Sequence, residues 1–318
     1  MADFGFEERS FATPLSRGLF IFLALLLVFV WGAVVRRDAW GLIPEKFSTD
    51  LRVEIVDVGQ GDAILVRTPH GRHWLIDGGT DVDAAQAAAE GRVLVQDFLE
   101  RRGIRFLDGI VVTSHHNDHL GGIIPVLQKV SVGWMCDSGE DFQGGTFKDY
   151  QALLKQKRIP RRHIVAGDRL DWGQELIVEV LSPAREAASW PNVGEDERSV
   201  SLLITYGKSS ILLAGDLGKR GQREAARYGK GITAKVIKLP KHGSRDSLES
   251  AFLEMVNPVY GILSVGRNNP FGYPASSTIG VLEKRGVKLF RTDLQGSIRL
   301  VVGGREPGDF IFEVDRNR

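Results

Sequence analysis

Thr113 to Gly122 reads "TSHHNDHLGG", and three of the chain's seven histidines fall between positions 115 and 119. The stretch closes an apolar run, "LDGIVVTS" (Leu107–Ser114), whose lack of alternation predicts a strand buried on both faces. A His/Asp cluster there sits at the strand's carboxyl edge, where open α/β sheets bind ligands. Imidazole and carboxylate together suit a borderline divalent ion, zinc or manganese. His116, Asp118 and His119 lie within four residues, so one tight turn aims them at a common point. Gly121 and Gly122 then let the backbone turn away. A solvated polar loop would account for a lone histidine, but not for this density.

An ion needs ligands from elsewhere in the chain. "ILLAGDL" ends a predicted strand at Asp216, where a carboxylate bridges two ions, caps the next helix, or does both. "KLPKHGSRDS" puts His242 after another strand. Asp62 in "DVGQGDA" and Asp77 in "LIDGG" stand alike. Each alone is ordinary turn chemistry. Their recurrence on five strand ends points to a shared centre.

From Leu51 onward the pattern is short β-like runs separated by Gly, Asp and Pro. An alanine-rich helix is predicted from about Ala84 to Arg102, stopped by Gly103. "LGGIIPVLQKV" predicts a short helix with Pro125 in its first turn. Gly207–Lys208 reads as a hairpin turn, "LGKRGQREAARYG" as a helix ending on Gly229, and Ser276–Arg285 as another helix. Two halves, each mixing strands and helices, predict an α/β protein of αββα sandwich type: two sheets face to face with helices outside.

The 318 residues carry a net charge of +1, so any polyanion site must be a local patch. Hydrophobic residues make up 43% and charged residues 25%, the ordinary balance of a globular protein. One cysteine, Cys136, excludes an internal disulfide framework and a multi-cysteine zinc site, and reads as a buried, inert thiol. Gly18–Val35, "GLFIFLALLLVFVWGAVV", is uncharged over 18 residues between Arg17 and Arg36. That length just spans a hydrocarbon core. The run is long for a signal peptide and lacks a small-x-small exit, so a single transmembrane anchor over 18–36 is the expectation. It comes after a tail at 1–17 and before a linker at 37–50; a hydrolase domain at 51–305 and a C-terminal strand and tail at 306–318 complete the expected organisation. Flanking Arg and Lys nearly balance, so the positive-inside rule does not orient the anchor. The common arrangement keeps the short N-terminal tail inside and exports the residues beyond the anchor, which puts the large domain outside the cytoplasm.

The ordered set "DVGQGDAILV", "LIDGG", "HNDHLGG", "LLAGD", "HGS" and "SVGRNN" resembles the metallo-β-lactamase superfamily, and within it the hydrolase domain of ComEC-type competence proteins. The resemblance runs from about Leu51 to Val302. It implies a metallo-β-lactamase-like αββα sandwich, one or two divalent ions, and water activated at the ion as nucleophile. The superfamily pattern H-x-H-x-D-H places its first histidine at Ser114 and its second at His116. His115 substitutes only if the turn is one residue shorter. The "GD" aspartate matches Asp216, and the late histidine matches His242, with Lys241 where relatives often have a second histidine. Ser182–Pro183 and Gly272–Tyr273–Pro274 stand where relatives often carry His-Pro and Gly-His-Pro. The resemblance therefore implies one ion held by Asp118, His119, Asp216 and His242. A second, weak or empty position keeps His116 and shares Asp216, with Asp62 or His115 as help.

The expected activity is a metal-dependent phosphodiesterase or nuclease acting on DNA. Asp118 or Asp62 would orient the water, Lys241 and Arg245 would take up charge on the phosphoryl oxygens, and His242 and Ser244 would hold the far side. Basic stretches at Lys155–Arg162 and Lys219–Lys230 either track a phosphate backbone or are solvated helix faces. The same centre also suits a small phosphodiester, ester or lactone, with the loop Pro183–Arg198 setting the choice. The missing histidines leave room for a membrane-tethered binding module without catalysis. A separate membrane partner is left open, and no feature of the sequence bears on oligomeric state.

Overall fold

Ile64 and Val66 point to one side of their strand and Leu65 to the other, and the two sets enter different cores. That period-2 split repeats through the chain and builds three apolar layers around two sheets. The computed structural model describes residues 49–80, 86–87, 93–140, 142–191, 194–245, 247–303 and 309–315. Thr49–Arg318 forms one compact unit.

The first sheet contains β1 (Leu51–Ile55), β2 (Ile64–Arg67), β3 (His73–Ile76), β5 (Gly109–Val111), β7 (Met135–Asp137), β8 (Arg161–His163), β16 (Ile298–Val302) and β17 (Phe310–Val314). Their order is β17-β16-β1-β2-β3-β5-β7-β8. The second contains β9 (Arg169–Leu170), β10 (Leu176–Ser182), β11 (Ser201–Tyr206), β12 (Ser209–Leu213), β13 (Val236–Lys238), β14 (Tyr260–Leu263) and β15 (Lys288–Arg291), ordered β15-β14-β13-β12-β11-β10-β9. A small ladder joins β4 (Phe106–Leu107) to β6 (Ser131–Val132). Gly207 and Lys208 make the predicted turn between β11 and β12, with Tyr206 opposite Ser209.

Between the sheets, Val53, Ile64, Trp74 and Val111 meet Val178, Leu202, Leu213 and Ile262. Trp74 stacks on Trp172 at 4.7 Å, an aromatic pair that adds about 0.5–1.5 kcal/mol beyond its buried area. Outside the first sheet lie α1 (Val95–Arg101), α2 (Asn117–Leu120), α3 (Ile123–Lys129) and α4 (Gly145–Lys157). Outside the second lie α5 (Lys219–Ala226), α6 (Ser250–Val256) and α7 (Ser276–Lys284). The αββα sandwich is therefore present. β5 is buried on both faces, Ile110 in the outer layer and Val111 in the central one. Cys136 is buried, and that burial pushes its thiol up to about 12.

Three local expectations meet a different outcome. Of the helix expected from Ala84 to Arg102, the described residues are helical at 86–87 and again in α1, with Val93 and Leu94 outside helix between them, and the chain turns at Gly103 with φ +67°. The helix after Asp216 stops at Ala226, because Gly229 at φ +56° starts a separate short turn over Gly229–Ile232. Gly121 and Gly122 are not there to bend the chain, since both have helical φ. Gly122 is needed for close approach: a Cβ on it would lie 1.9 Å from the Gly78 carbonyl oxygen. The expected anchor at 18–36 lies outside the described residues, among which no helix is long and apolar enough to cross a membrane.

Candidate metal centre

β3, β5 and β7 run parallel in one sheet, and β12, β13 and β14 run parallel in the other. Parallel strands send their carboxyl ends to one edge, and both sheets bring polar side chains to it there. After β3 comes Asp77; after β5 come Thr113 to His119; after β12 comes Asp216; after β13 comes His242; after β14 comes Ser264.

Four of these side chains converge. His119 Nε2 lies 3.1 Å from Asp216 Oδ2. His242 Nε2 lies 3.3 Å from Asp118 Oδ2 and 3.7 Å from Asp216 Oδ1. Ligand atoms of Asp118, His119 and His242 all fall within 4.8 Å of one another, and so do those of Asp62, Asp216 and His242. Asp216 is not the helix cap that its position also suited. Gly218 occupies that place, and the Asp216 N–H donates to Ser199 Oγ.

Both histidines are aimed by their other ring nitrogen. His119 Nδ1 bonds Asp77 Oδ2 at 2.9 Å, and Thr113 donates to both Asp77 oxygens, from its N–H at 2.7 Å and its Oγ1 at 2.5 Å. His242 Nδ1 donates to the Ser264 carbonyl at 2.8 Å. Each partner fixes the tautomer that leaves Nε2 as a lone-pair donor facing the centre. His119 Nε2, His242 Nε2 and Asp216 Oδ1 are buried and lack a hydrogen-bond partner. Orphaned donor atoms pointing at one another fit a divalent cation, which removes the penalty of leaving them unpaired.

Without an ion, the surrounding carboxylates favour a proton on each ring, which an ion would displace. Burial opposes charge on His119, yet Asp216 and Asp77 outweigh it and hold its pKa well above the ordinary value. Burial likewise opposes charge on His242, while Asp216 and Asp62 raise its pKa to about 9. Burial would raise Asp62, but Lys238 and then His242 bring it down to about 2. Lys238 is fully buried, pairs with Asp62 and donates to the Gly215 carbonyl at 3.2 Å.

The other expected site residues take distinct places. His116 is 41% exposed, with Nε2 3.0 Å from Glu195 Oε2 and Nδ1 3.8 Å from Asp196 Oδ1. With Asp196 and Asp216 it makes a second group whose ligand atoms lie within 4.8 Å of one another. His115 joins neither group. It is buried, and its ring packs 4.6 Å from Phe147. Lys241 is held by Asp196. Lys241 and His242 have φ of +49° and +52°, a left-handed conformation that non-glycine residues seldom adopt and that here swings the two side chains to their partners. Asp62 is buried with the group it shares with Asp216 and His242, whereas Asp118, 30% exposed, is the carboxylate that reaches the opening.

Asp77 was expected among the strand-end carboxylates, but its place behind His119 was not, and Glu195, Asp196 and Lys238 were not expected at the site at all. Asp77 carried a signal in "LIDGG", at a strand end. Lys238 carried one too: a lysine inside an apolar strand must find a buried anion. Glu195 and Asp196 open a single 3-10 turn, Glu195–Arg198, too short to leave a periodicity to read.

Residues 56–267 match the Metallo-beta-lactamase superfamily, and the chain belongs to it. It is 28% identical over 313 residues to "Competence protein ComA" of Neisseria gonorrhoeae, covering 95% of this chain and 41% of that protein. It is 27% identical over 310 residues to "ComE operon protein 3" of Bacillus subtilis, covering 92% of this chain and 37% of that protein. The chain thus spans less than half the length of these curated relatives. Among solved structures it is similar to CmlA, a diiron beta-hydroxylase from Streptomyces venezuelae, at TM-score 0.53 and 15% identity, covering 80% of this chain and 54% of that one. It is also similar to the metallo hydrolase Igni18 from Ignicoccus hospitalis, at TM-score 0.50 and 15% identity, covering 78% and 98%. Both structural likenesses concern the fold.

Proposed function

We propose that this chain is a divalent-metal-dependent phosphodiesterase acting on DNA, tethered to a membrane by residues 18–36 with its hydrolase domain outside the cytoplasm. The observation that carries the chemistry is the convergence of Asp118, His119, Asp216 and His242 with orphaned donor atoms facing one another. The names of the competence-protein relatives support a DNA-related role.

Bound between those side chains, zinc or manganese supplies Lewis acidity and lowers the pKa of water toward neutrality. The chain's own part is set by exposure. His119, Asp216 and His242 are buried and fixed, so they hold. Asp118 reaches the open side and is placed to accept a hydrogen bond from the attacking water. Lys241 lies on the same side, and its charge is shared with Asp196, which leaves the exposed Arg245 three residues beyond His242 as the freer cation for phosphoryl oxygens.

The basic stretches contribute less than their composition suggests. Arg161 pairs with Asp137 at 2.6 Å, Arg223 with Glu249 at 3.2 Å and Arg227 with Glu224 at 2.5 Å, and Arg220 lies over Trp190 at 4.0 Å. The full chain, purified in detergent and supplied with manganese or zinc, is expected to cut plasmid or single-stranded DNA. Cleavage that survives unchanged in an Asp118→Ala, His119→Ala double variant counts decisively against the reading.

A further inference from the structure

Aromatic rings continue outward from one of the ligands. The His242 ring faces Tyr273 with centroids 6.4 Å apart and planes 23° apart. Tyr273 in turn stacks on Phe271 at 5.4 Å and 22°. The ladder begins on a buried imidazole and ends on Phe271, which is 61% exposed. An exposed phenylalanine by itself is ordinary. This one is held in place. Asn269 braces its loop, donating from Nδ2 to the Gly266 carbonyl at 3.0 Å and the Tyr273 carbonyl at 2.7 Å. The same side chain accepts the Tyr273 N–H at 2.9 Å. The Ala275 N–H donates to the Gly243 carbonyl at 2.9 Å, which ties the loop to the segment carrying His242. Gly266 to Ala275 contains no acidic residue, and Arg267 is exposed on it.

We infer that Phe271 is a stacking platform for an unpaired nucleobase of a single-stranded nucleic acid whose neighbouring phosphodiester lies at the metal centre. The phosphodiester half of that statement rests on the proposed function; the platform rests on the ring geometry. A rigid, exposed ring parallel to its neighbours offers a free π-face, and every base has a matching one. Stacking of this kind tolerates any sequence, because it reads a face and not an edge. Bases inside a duplex are already stacked and offer no face to the platform, so the preference is for single strands. Two ring steps separate Phe271 from His242, close enough for the base beside a held phosphodiester to reach it.

The test is fluorescence anisotropy with the full chain in detergent and chelator present, so that no strand is cut. The probes are a labelled oligothymidylate, an abasic strand of equal length and a duplex of equal length. The expected result is about tenfold tighter binding of oligothymidylate than of the abasic strand, a preference lost in Phe271→Ala and kept in Phe271→Trp. Equal binding of the two strands by the unaltered chain overturns the platform, and so does a preference that survives Phe271→Ala. Hydrolysis of bis(p-nitrophenyl) phosphate by the metal-loaded chain is read separately. Its absence counts against the phosphodiesterase reading and leaves the platform standing on the binding data.

Discussion

His119, Asp216 and His242 have almost no exposed surface, whereas His116 and Asp118, in the same turn as His119, are 41% and 30% exposed. The buried side is assembled from strand ends. Its ligands are aimed by a backbone carbonyl at Ser264 and by Asp77, itself held by Thr113. The open side depends on the loop that carries Glu195 and Asp196. A site supported by sheets keeps its geometry without an ion, while a loop-borne one depends on whatever charge arrives. The difference teaches where affinity is set, on the buried side, and where choice is set, on the open one.

The most damaging way to break that contrast is Asp216→Ala. Asp216 touches both groups, so metal content measured by mass spectrometry should collapse in both, a larger loss than the about 10–100-fold cost of removing an orienting partner. Next comes Lys238→Met, which strands Asp62 as an unpaired buried charge. A destabilisation of about 3–5 kcal/mol is expected in thermal or denaturant unfolding, with no comparable loss for Lys241→Met on the open side. Asp77→Asn should keep the fold and weaken the ion by about 10–100-fold in a competition titration, since the amide no longer fixes the His119 tautomer as the carboxylate does.

A gentler probe is pH. In the folded, ion-free chain the His242 pKa rises from 6.5 to about 9. Its protonated form therefore contributes stability that is complete below pH 6.5 and is lost as pH rises through 9. The melting temperature of the ion-free chain should fall across that window. The ion-loaded chain should lack this fall, because the ion takes the proton's place, and loading at pH 7.5 should release protons measurably in weak buffer. The smallest effect belongs to Asp196→Asn: little change in the tighter ion and a loss confined to a second, weaker one. A change in the tighter ion of the same size as for Asp77→Asn would erase the distinction between the two sides.

Much of this was legible along the chain. Alternation in Leu51–Ile55 and unbroken apolarity in Gly109–Val112 report which faces are buried, because side-chain direction in a strand has period two. The cluster His116–Asp118–His119 is local, so its density shows without a fold. Asp216 and His242 were readable only as carboxyl-edge residues, since nothing linear says that β12 and β13 end beside β5. The helix predicted from Ala84 is interrupted at Val93 and Leu94, because composition does not mark where packing against a sheet begins.

By itself, the order of residues determined the strand and helix periodicity, the apolar layers, and the short-range grouping of imidazole and carboxylate, all of which rest on backbone geometry repeating every two or about 3.6 residues. Only the tertiary structure decided that Lys238 neutralises Asp62 from 176 positions away, that Asp196 reaches His116, and that Tyr273 and Phe271 extend outward from His242. Those pairings depend on which strand ends two separate sheets bring to one edge. That is a property of packing, and no spacing along the chain encodes it.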